Sequence, residues 1–549
     1  MRSRSSRRRQ VIHAAIAATA CTVALSACGG GSSKHSSSTR PATSPTKSST
    51  TATQAPTHPL AVYTYNASSG SGPQPMRVSI YDLRRDGPFL VLDFGISCPD
   101  QASSGCDTSD TLKPLNPNSS GQLINSIKTD TDTAAGVTLI DPGNLLQYLP
   151  VRDSEGRPFT SKLPLISDTR NYLAWVRYPA PPASVTSMDI TFPNGGPQVS
   201  GVPISDGSGP TAETGVASSP APFVQTAATT TTTGLHLPVQ ALVATSGNPA
   251  GSDAESAHQD TITLSSDVLF RFAKSSLTAK ARSILAGAAA QIKSRAVGSV
   301  AVTGYTDSIG SNAVNVPLSI ARAKSVVKAL APNTPSVKYV ASGKGSADPV
   351  APNTQPDGAD NPAGRALNRR VTIVFAVKKL APPKPPAPAA PSTASAASSQ
   401  TATFKAGPPM NKDHYSLSVD SLFREGNLMV ARLSIGCLTS GGCTSESDML
   451  GTNTVPPELA PFQYVLNGAF GISGFYVVAP QSGTEYLVLH NIGGAPLTGS
   501  VNANIGHGQV YKYWAYFPAP PAGVDAVTLV TPQGGTRIRV PVSPSPPPA

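Results

Sequence analysis

The sequence has few charged and few aromatic residues: 13% of its 549 residues are charged and 6% are aromatic. Outside the extreme N-terminus it has no apolar run near the roughly 20 residues that a membrane-spanning helix needs, which argues against a transporter built from such helices. Its 54 Pro and 47 Gly are too few for a chain that is disordered throughout, but they suit ordered domains joined by linkers. The length predicts roughly three or four domains.

Recognisable catalytic motifs are also missing. Of eight His residues, only His490 and His507 fall inside a predicted β-module, and no His-Glu-x-x-His, Gly-x-Ser-x-Gly or catalytic-cysteine pattern occurs. Gly343-Lys344-Gly345 lacks the third glycine and the following helix of a phosphate-binding loop. The sequence therefore predicts a protein that is not an enzyme and needs no cofactor. A wall hydrolase with a pair of acids brought together only by the fold is the alternative.

The positive charge of the chain is modest. Its formal net charge is +11, but the first 27 residues contain five Arg and no acidic residue, so the remainder carries +6. This charge is spread along the sequence instead of forming a basic stripe, which predicts no nucleic-acid partner. It suits a location near an anionic membrane or cell wall.

The first 28 residues have the pattern of an export signal. Five Arg lie before residue 10, and Val11 to Leu25 form a short apolar segment. The following run, Leu25-Ser26-Ala27-Cys28, matches the bacterial lipobox, so we expect Cys28 to carry the lipid that anchors an exported protein to the membrane of the cell envelope. An ordinary signal peptide with a cysteine at its end is the alternative, and the pattern leaves the Sec and twin-arginine export routes undecided.

Three segments have the composition of linkers. Residues 29–57 are rich in Ser, Thr and Gly and predict a flexible, disordered tether, residues 208–258 are rich in Ala, Thr, Ser and Gly, and residues 380–404 are rich in Pro, Ala and Ser. Each contains too few large apolar residues to form a core, so we expect folded domains between them.

The cysteines form two close pairs. Cys98 and Cys106 are separated by seven residues, and Cys437 and Cys443 by five. These spacings do not fit the ligand spacing of a zinc site, which is the alternative, and no His lies nearby. In an exported chain they predict two disulfides and no metal site.

An internal repeat relates residues 58–207 to residues 405–545. The first cysteine of each close pair, and the only two Trp residues, Trp175 and Trp514, recur at the same offset of 339. Short apolar runs of period two, separated by Asx-Gly and Gly-Asn turns, predict an antiparallel β-sandwich of about seven strands in each copy. Both copies resemble immunoglobulin-like modules in a general way. We expect each Trp to fill a sandwich core, with an exposed ligand-stacking role as the alternative.

The segment between the repeats, 259–379, alternates strand and helix patterns. Strands are predicted at 261–264, 299–303, 337–340 and 371–377, and helices at 277–296 and 318–330. The resulting βαβαββ order predicts an α+β domain with helices on one face of a sheet.

Three blocks within this segment resemble the OmpA-like C-terminal domain, whose members bind peptidoglycan without covalent bonds. The blocks are TGYTDSIGSNAVNVPLSIARAKSVVKAL (303–330), SGKGSADPVAPN (342–353) and GRALNRRV (364–371). The resemblance implies that diaminopimelate of the wall stem peptide is the ligand, with Asp307 binding its ammonium and Arg322 its carboxylate. It also implies supporting roles at the pocket for the matching residues Thr306, Gly310, Asn315, Asn368 and Arg369.

The sequence departs from the family pattern at the expected pocket. Tyr305 stands where the family usually has His, and Arg271 and Ala273 stand where it usually has acids. The missing carboxylates predict weaker or altered ligand binding.

The predicted organisation is multidomain: a central α+β OmpA-like domain flanked by two homologous all-β immunoglobulin-like sandwiches. The predicted function is a lipoprotein that tethers the membrane to peptidoglycan. The alternative is an adhesion or partner-binding protein, in which the β-sandwiches bind an envelope protein or glycan and the central domain only localises them.

Overall fold

The computed structural model describes residues 58–69, 72–99, 112, 133–161, 163, 171–206, 216–218, 233–378, 400–405, 413–443, 471–499, 501, 504–532 and 535–547. The predicted lipobox with Cys28, the tether, Cys106 and most of the 380–404 linker lie outside these residues. Within them, no helix combines the length and the apolar character needed to cross a membrane.

The first repeat, called copy 1, consists of two facing sheets. Its strands are β1 (Ala61–Ser69), β2 (Gly72–Asp86), β3 (Phe89–Ser97), β4 (Thr138–Asp141), β5 (Leu146–Tyr148), β6 (Asn171–Pro179), β7 (Ser187–Thr191) and β8 (Gln198–Pro203), followed by the short β9 (Val216–Ser218). One sheet has the order β1-β2-β3-β6-β9, and β4, β5, β7 and β8 pair in the other. Alternate side chains of both sheets, among them Val78, Leu92, Leu139 and Ile190, meet in one apolar core.

The central region forms a mixed sheet with helices. Its strands are β10 (Val239–Asn248), β11 (Gly251–Ser256), β12 (Gln259–Ser265), β13 (Ala296–Gly304), β14 (Lys338–Gly343) and β15 (Arg370–Val377), and its helices are α1 (Ser266–Leu269), α2 (Ala279–Arg295), α3 (Asn312–Leu330) and α4 (Pro362–Asn368). The strand order is β14-β13-β15-β12-β11-β10, with β13 and β14 parallel. The apolar faces of α2 and α3 cover the core against this sheet.

The four strands and two long helices predicted for 259–379 are present in this region, but the βαβαββ order is incomplete. The short helices α1 and α4 interrupt it. Pro362 opens α4, and the side chain of Asn361 caps it by accepting the N–H of Gly364 at 3.0 Å. A helix of seven residues is too short to produce a helical period in the sequence, so the periodicity gave no prediction of it.

The second repeat, called copy 2, has the same plan as copy 1. Its strands are β16 (Gln400–Lys405), β17 (His414–Glu425), β18 (Leu428–Cys437), β19 (Tyr476–Val478), β20 (Glu485–Leu487), β21 (His490–Asn491), β22 (Val510–Pro518), β23 (Ala526–Val530) and β24 (Arg537–Pro541). One sheet has the order β16-β17-β18-β22, and β20, β19, β23 and β24 pair in the second. Both repeats are therefore two-sheet β-structures, while their immunoglobulin-like character stays a prediction.

The repeat is preserved in fine detail. The β2–β3 pairing shifts register between Ile80 and Asp82, and the β17–β18 pairing shifts at the residues 339 positions later, between Val419 and Ser421. In each copy one arginine then binds three backbone oxygens of the Pro-rich segment that follows the Trp-containing strand. Arg85 donates to Pro181, Pro182 and Val185 at 2.8–3.1 Å, and Arg424 donates to Pro520, Pro521 and Val524 at 2.8–3.4 Å.

Neither Trp fills a sandwich core, so that prediction was wrong. Alternation along β22 directs Tyr513 and Ala515 into the core of copy 2, and Trp514 lies on the opposite face. There Trp514 is 6% exposed, and its Nε1 donates to the carbonyl of Gly196 in copy 1 at 3.2 Å. Trp175 packs on the corresponding outer face, against the small cluster that contains Phe89. The period of two places both indoles outside their own cores.

The linker predicted over 208–258 is shorter than its composition indicated. Strand β10 pairs with β5 of copy 1 and with β20 and β21 of copy 2, and it continues into the β11–β12 hairpin. Its buried side chains Leu242 and Ala244 pack with residues of both copies. One strand therefore connects both repeats to the central sheet, and the Thr- and Gly-rich composition around it hid its alternating pattern.

A buried polar network joins the two copies. The Tyr516 hydroxyl donates to Asp189 Oδ2 at 2.6 Å, and Gln198 Nε2 donates to the Tyr516 oxygen at 2.8 Å. Arg432 donates to Gln198 Oε1 through Nε and Nη2 at 3.2 and 3.0 Å. The carboxyl group of Glu425 lies close to that of Asp189, which is 1% exposed, and burial together with this neighbour raises the pKa of Asp189. Two carboxyl groups held close together away from water favour a state in which one of them holds a proton.

One of the two predicted disulfides is seen in full. Cys437 and Cys443 are bonded, with their Cα atoms 5.7 Å apart. Cys98 is buried and disulfide-bonded, and its predicted partner, Cys106, lies outside the described residues.

Candidate functional site

Asp307 lies in the loop that joins β13 to α3. Glycine allows this connection to be tight, because a Cβ at Gly304 would lie 2.2 Å from the Ser319 carbonyl oxygen, and one at Gly343 would lie 2.3 Å from the Ile320 nitrogen. Helix α3 therefore packs directly on the ends of the two parallel strands β13 and β14. This packing fixes the position of α3 relative to the Asp307 loop.

The Asp307 carboxylate is 8% exposed at the residue level and has two partners. Its Oδ1 accepts the backbone N–H of Ile309 at 3.1 Å, and its Oδ2 accepts from Arg369 Nη1 at 2.6 Å. Arg365 Nε lies 3.9 Å from the same Oδ2, and its Nη1 pairs with Asp360. The carboxylate is thus oriented by a backbone group and two guanidinium groups.

Arg369 bridges two carboxylates. While Nη1 binds Asp307, Nε and Nη2 bind the two oxygens of Asp267 at 2.8 and 2.6 Å. The hydrogen bonds to Asp267 are the leading reason that the pKa of Arg369 lies above its ordinary value, and Asp307 adds to the effect. Asp267 therefore helps to hold Arg369 in place beside Asp307.

Arg322 lies about three turns into α3, later than the early turn that the sequence predicted. It is 5% exposed, its Nε donates to the Lys274 carbonyl at 3.2 Å, and its guanidinium lies 5.3 Å from the centre of the Phe270 ring. Nη1 and Nη2 have no hydrogen-bond partner among the described residues. Burial, and to a lesser degree Arg369, lowers the pKa of Arg322, while Asp267 and Asp307 act in the opposite direction.

The remaining predicted site residues brace the loops. Asn315 Nδ2 donates to the carbonyls of Ile309 and Gly310 at 3.0 and 3.3 Å. Asn368 accepts the N–H groups of Val350 and Ala351 at 2.8 and 3.1 Å. Both side chains are buried, at 4% and 1% exposure. They hold backbone segments instead of presenting polar groups outward.

Thr306 and Asn353 tie the loops to one another. The Thr306 N–H donates to the Gly345 carbonyl at 2.8 Å, and its hydroxyl donates to the carbonyl of Asp307 at 2.9 Å. Asn353 Oδ1 accepts from Ser308 N–H at 3.3 Å and from Asn368 Nδ2 at 3.1 Å. The three sequence blocks therefore meet at one place.

The departures from the family pattern have visible structural roles. Tyr305 forms a platform for Arg370, whose guanidinium carbon lies 3.8 Å from the centre of the ring. Ala273 has a φ of 53°, in the left-handed region that side chains other than Gly, Asn and Asp rarely adopt. Phe272 beside it is 98% exposed.

Sequence reasoning missed two groups at this site. Asp267, four residues before Arg271, supplies a carboxylate close to the positions where the family's acids were expected. Arg365 lies one helical turn before Arg369 and approaches Asp307 from the same side. The available signal was their position within or next to the matched blocks, but neither residue type indicated which partner it would contact.

The described part of the chain contains no group of three or more His, Cys, Asp or Glu side chains placed to hold a metal ion. The charged groups at the site are paired with one another.

The central region is similar in sequence to known proteins. Residues 269–362 match the OmpA family model. The chain is 40% identical over 114 residues to the photosystem I P700 chlorophyll a apoprotein A2 of Gloeobacter violaceus, covering 20% of this chain and 13% of that protein. It is 47% identical over 95 residues to outer membrane protein A of Serratia marcescens, covering 17% and 26%. It is 43% identical over 76 residues to the peptidoglycan-binding protein ArfA of Mycobacterium bovis, covering 14% and 22%.

The chain spans only 13–26% of the length of these relatives, so the likeness concerns one module. The family match covers residues 269–362, and both repeats lie outside it. The matched residues include Asp307 and Arg322, and they identify the central region of this chain as an OmpA-like domain.

Proposed function

We propose that this protein binds peptidoglycan non-covalently through its OmpA-like domain and recognises the free end of diaminopimelate in the stem peptide. That end carries an ammonium and a carboxylate, so its recognition requires an acid and a fork-shaped cation at a fixed separation. The observation that carries the proposal is Arg322. Its Nε donates to the Lys274 carbonyl and its guanidinium lies over the Phe270 ring, while Nη1 and Nη2 have no hydrogen-bond partner among the described residues.

Asp307 is the acid of this pair. Each of its two oxygens accepts one hydrogen bond, from the Ile309 N–H on Oδ1 and from Arg369 on Oδ2. A carboxylate oxygen can accept more than one hydrogen bond, so both retain acceptor capacity for an ammonium group. Arg369 then orients the acid without saturating it.

The charge balance of the site supports a zwitterionic ligand. Three acids and three arginines interact here, namely Asp267, Asp307, Asp360, Arg322, Arg365 and Arg369. A ligand with one positive and one negative group adds no net charge to this partly buried set. An anion or a cation alone would leave one charge uncompensated, which is costly away from water.

We also propose that Cys28 anchors the protein to the membrane at the cell envelope. The tether of 29 residues between Cys28 and the first described residue would have a root-mean-square reach of about 30 Å. A lipid at one end and a wall-binding site at the other make attachment bivalent. The wall is then held at a high effective concentration even if the single site is weak.

The test is sedimentation with purified diaminopimelate-type peptidoglycan. The protein should be the exported chain without its lipid, because β12 pairs with β11 and cutting at residue 259 would expose that strand edge. Wild type is compared with Asp307→Ala and Arg322→Ala. Removing one partner of a desolvated charge contact typically costs about 2–5 kcal/mol, so each variant should lose roughly 30-fold or more in affinity.

Arg282→Ala is the matched control, since Arg282 is exposed on α2 and absent from the site. It should sediment like wild type. The proposal fails if wild type stays in solution, or if Asp307→Ala and Arg322→Ala, folded by circular dichroism, sediment as well as the control.

A further inference from the structure

A cavity of about 230 Å³ lies where copy 1, the central region and copy 2 meet. Its walls come from the β4–β5 turn of copy 1, the β11–β12 hairpin, the ends of α2 and β15, and the β17–β18 turn of copy 2. Ligand sites occur preferentially at such domain junctions. This cavity is separate from the Asp307 site, with which it shares no lining residue.

The lining of the cavity has more cationic groups than acids. Arg295 and Lys378 line it together with one carboxyl group, that of Glu255. Lys378 is exposed and its ammonium has no ion-pair partner within the described part of the chain. The cavity is therefore suited to an anion.

Arg295 is only partly satisfied by protein groups. Its Nη1 lies 2.6 Å from Glu255 Oε2 and 3.3 Å from Asp260 Oδ2. Its Nε is buried and has no hydrogen-bond partner in the described residues. Because Nε has almost no accessible surface, a ligand in the cavity cannot reach it, whereas Nη2 has no hydrogen-bond partner in the described residues and is the nitrogen left for a ligand.

The acids behind Arg295 do not neutralise it fully. Burial raises the pKa of Asp253, Glu255 and Asp260, and the neighbouring Asp253 contributes to raising that of Asp260 to about 8. Gln291 donates to both Asp253 and Asp260. At neutral pH this set therefore retains protons, and Arg295 and Lys378 keep positive charge available to a ligand.

We propose that this cavity binds a small monocarboxylate, with Nη2 of Arg295 and the ammonium of Lys378 as its charge partners. Arg295 and Lys378 bring two positive charges to the lining and Glu255 brings one negative charge, so the cavity matches a monoanion better than a dianion such as phosphate. The same chemistry is offered by a free carboxylic acid and by the carboxyl terminus of a peptide. A bound carboxylate competes with the three acids for Arg295, so binding should be accompanied by proton uptake.

The test is isothermal titration calorimetry of the exported chain at pH 7.5 in two buffers with different protonation enthalpies. The probes are acetate, N-acetylalanine, N-acetylalaninamide and inorganic phosphate. We expect acetate or N-acetylalanine to bind with proton uptake, the amide not to bind, and phosphate to bind more weakly. Tighter binding of N-acetylalanine than of acetate would identify a peptide terminus as the source, and the reverse would identify a free acid.

Two variants assign the contacts. Lys378→Ala should weaken carboxylate binding by about two- to fivefold, as for an exposed charge contact. Arg295→Lys keeps the charge but loses the fork, and should weaken it by roughly 30-fold or more. Lys328→Ala, at an exposed lysine on α3, is the control and should bind like wild type.

Lys378 makes no side-chain contact that the fold depends on. Lys378→Ala therefore tests carboxylate binding in the cavity even if Arg295→Lys does not fold. The proposal is overturned if no carboxylate binds, if the amide binds equally well, if phosphate binds more tightly, or if Lys378→Ala behaves like Lys328→Ala.

Discussion

Arg369 holds Asp307 with one nitrogen and Asp267 with the other two: Nη1 lies 2.6 Å from Asp307 Oδ2, and Nε and Nη2 lie 2.8 and 2.6 Å from the oxygens of Asp267. The arginine thus links the loop after β13 to the start of α1. It makes the orientation of Asp307 depend on a carboxylate that lies outside the matched ligand pair.

Asp267→Asn should weaken peptidoglycan binding by about fivefold without unfolding the chain. The substitution removes the charged partner of Arg369, and the Asp267 side chain is 47% exposed, so the effect should be closer to that of a surface pair than of a buried one. Sedimentation affinity and thermal melting measure the two effects.

Asp267→Glu should restore most of the binding. A control, Asp357→Asn in the exposed turn before α4, should change neither. An unchanged affinity in Asp267→Asn would show that Arg369 needs no second carboxylate.

Gly304→Ala should destabilise the central region and reduce wall binding together. The added Cβ would lie 2.2 Å from a backbone oxygen of α3, so the helix that carries Arg322 must move. Overpacking of this kind typically costs about 1–3 kcal/mol. Denaturant unfolding and sedimentation measure both effects. Gly287→Ala on α2 is the matched control, because nothing lies within 4 Å of its Cβ, and it should stabilise by up to about 1 kcal/mol. Equal stability of the two variants would contradict the close packing of α3.

The carboxyl pair between the copies should make stability fall as pH rises. Burial, followed by Glu425, raises the pKa of Asp189 well above its ordinary value, and burial raises that of Glu425. The folded state therefore binds more protons than the unfolded state at pH values above about 4. For each proton that the folded state retains and the unfolded state has lost, the free energy of unfolding falls by about 1.4 kcal/mol per pH unit. This decrease ends once the pH passes the raised pKa. Tyr516, Gln198 and Arg432 are also part of this network.

Thermal melting from pH 5 to pH 8 tests this dependence. Asp189→Asn mimics the protonated acid, so its melting temperature should fall less steeply with pH than that of wild type. The melting temperature of both proteins also falls with pH because of three other acids with raised pKa values, Asp253, Glu255 and Asp260. The test therefore compares the slopes of melting temperature against pH for Asp189→Asn and wild type. Asp420→Asn, at a partly exposed acid of copy 2, should keep the wild-type slope. Parallel curves for Asp189→Asn and wild type would argue that no proton is shared.

The disulfide of copy 2 should contribute stability but not wall binding. Cys437 and Cys443 close a loop with a sequence separation of 6, for which loop entropy predicts about 2 kcal/mol. The double variant Cys437→Ala, Cys443→Ala should melt at a lower temperature and sediment with peptidoglycan like wild type. A loss of sedimentation in the folded double variant would place part of the wall-binding surface in copy 2.

The charged pair of the candidate site could be anticipated from sequence because Asp307 and Arg322 lie in a continuous block of strand, loop and helix. The local order of elements fixes their approach once α3 packs on β13. Asp267 and Arg365 could not be assigned in the same way. Their roles depend on long-range contacts, and an isolated acid or arginine carries no signal that names its partner.

The repeat was predictable because cysteine and tryptophan are rare in this chain and recur at one offset. The position of Trp514 could not be predicted, because period-two alternation defines two faces of a strand but does not indicate which face another domain covers. Copy 1 and β10 cover the outer face, which turns it into an interface. Strand β10 was not predicted because the residues around it are rich in Thr and Gly. Composition reports the average of a segment and does not reveal the strand pairing of ten residues within it.

Titration of the exported chain with free diaminopimelate, alongside Nα-acetyl-lysinamide, tests the central claim most directly. The lysine derivative keeps the side-chain ammonium but has neither a free α-ammonium nor a carboxylate, so it cannot engage Asp307 and Arg322 at once. The account predicts that diaminopimelate binds and displaces the protein from peptidoglycan, that the lysine derivative does neither, and that Arg322→Ala abolishes the difference between them. Equal competition by the lysine derivative, or none by diaminopimelate, would contradict recognition of a zwitterionic end by this pair.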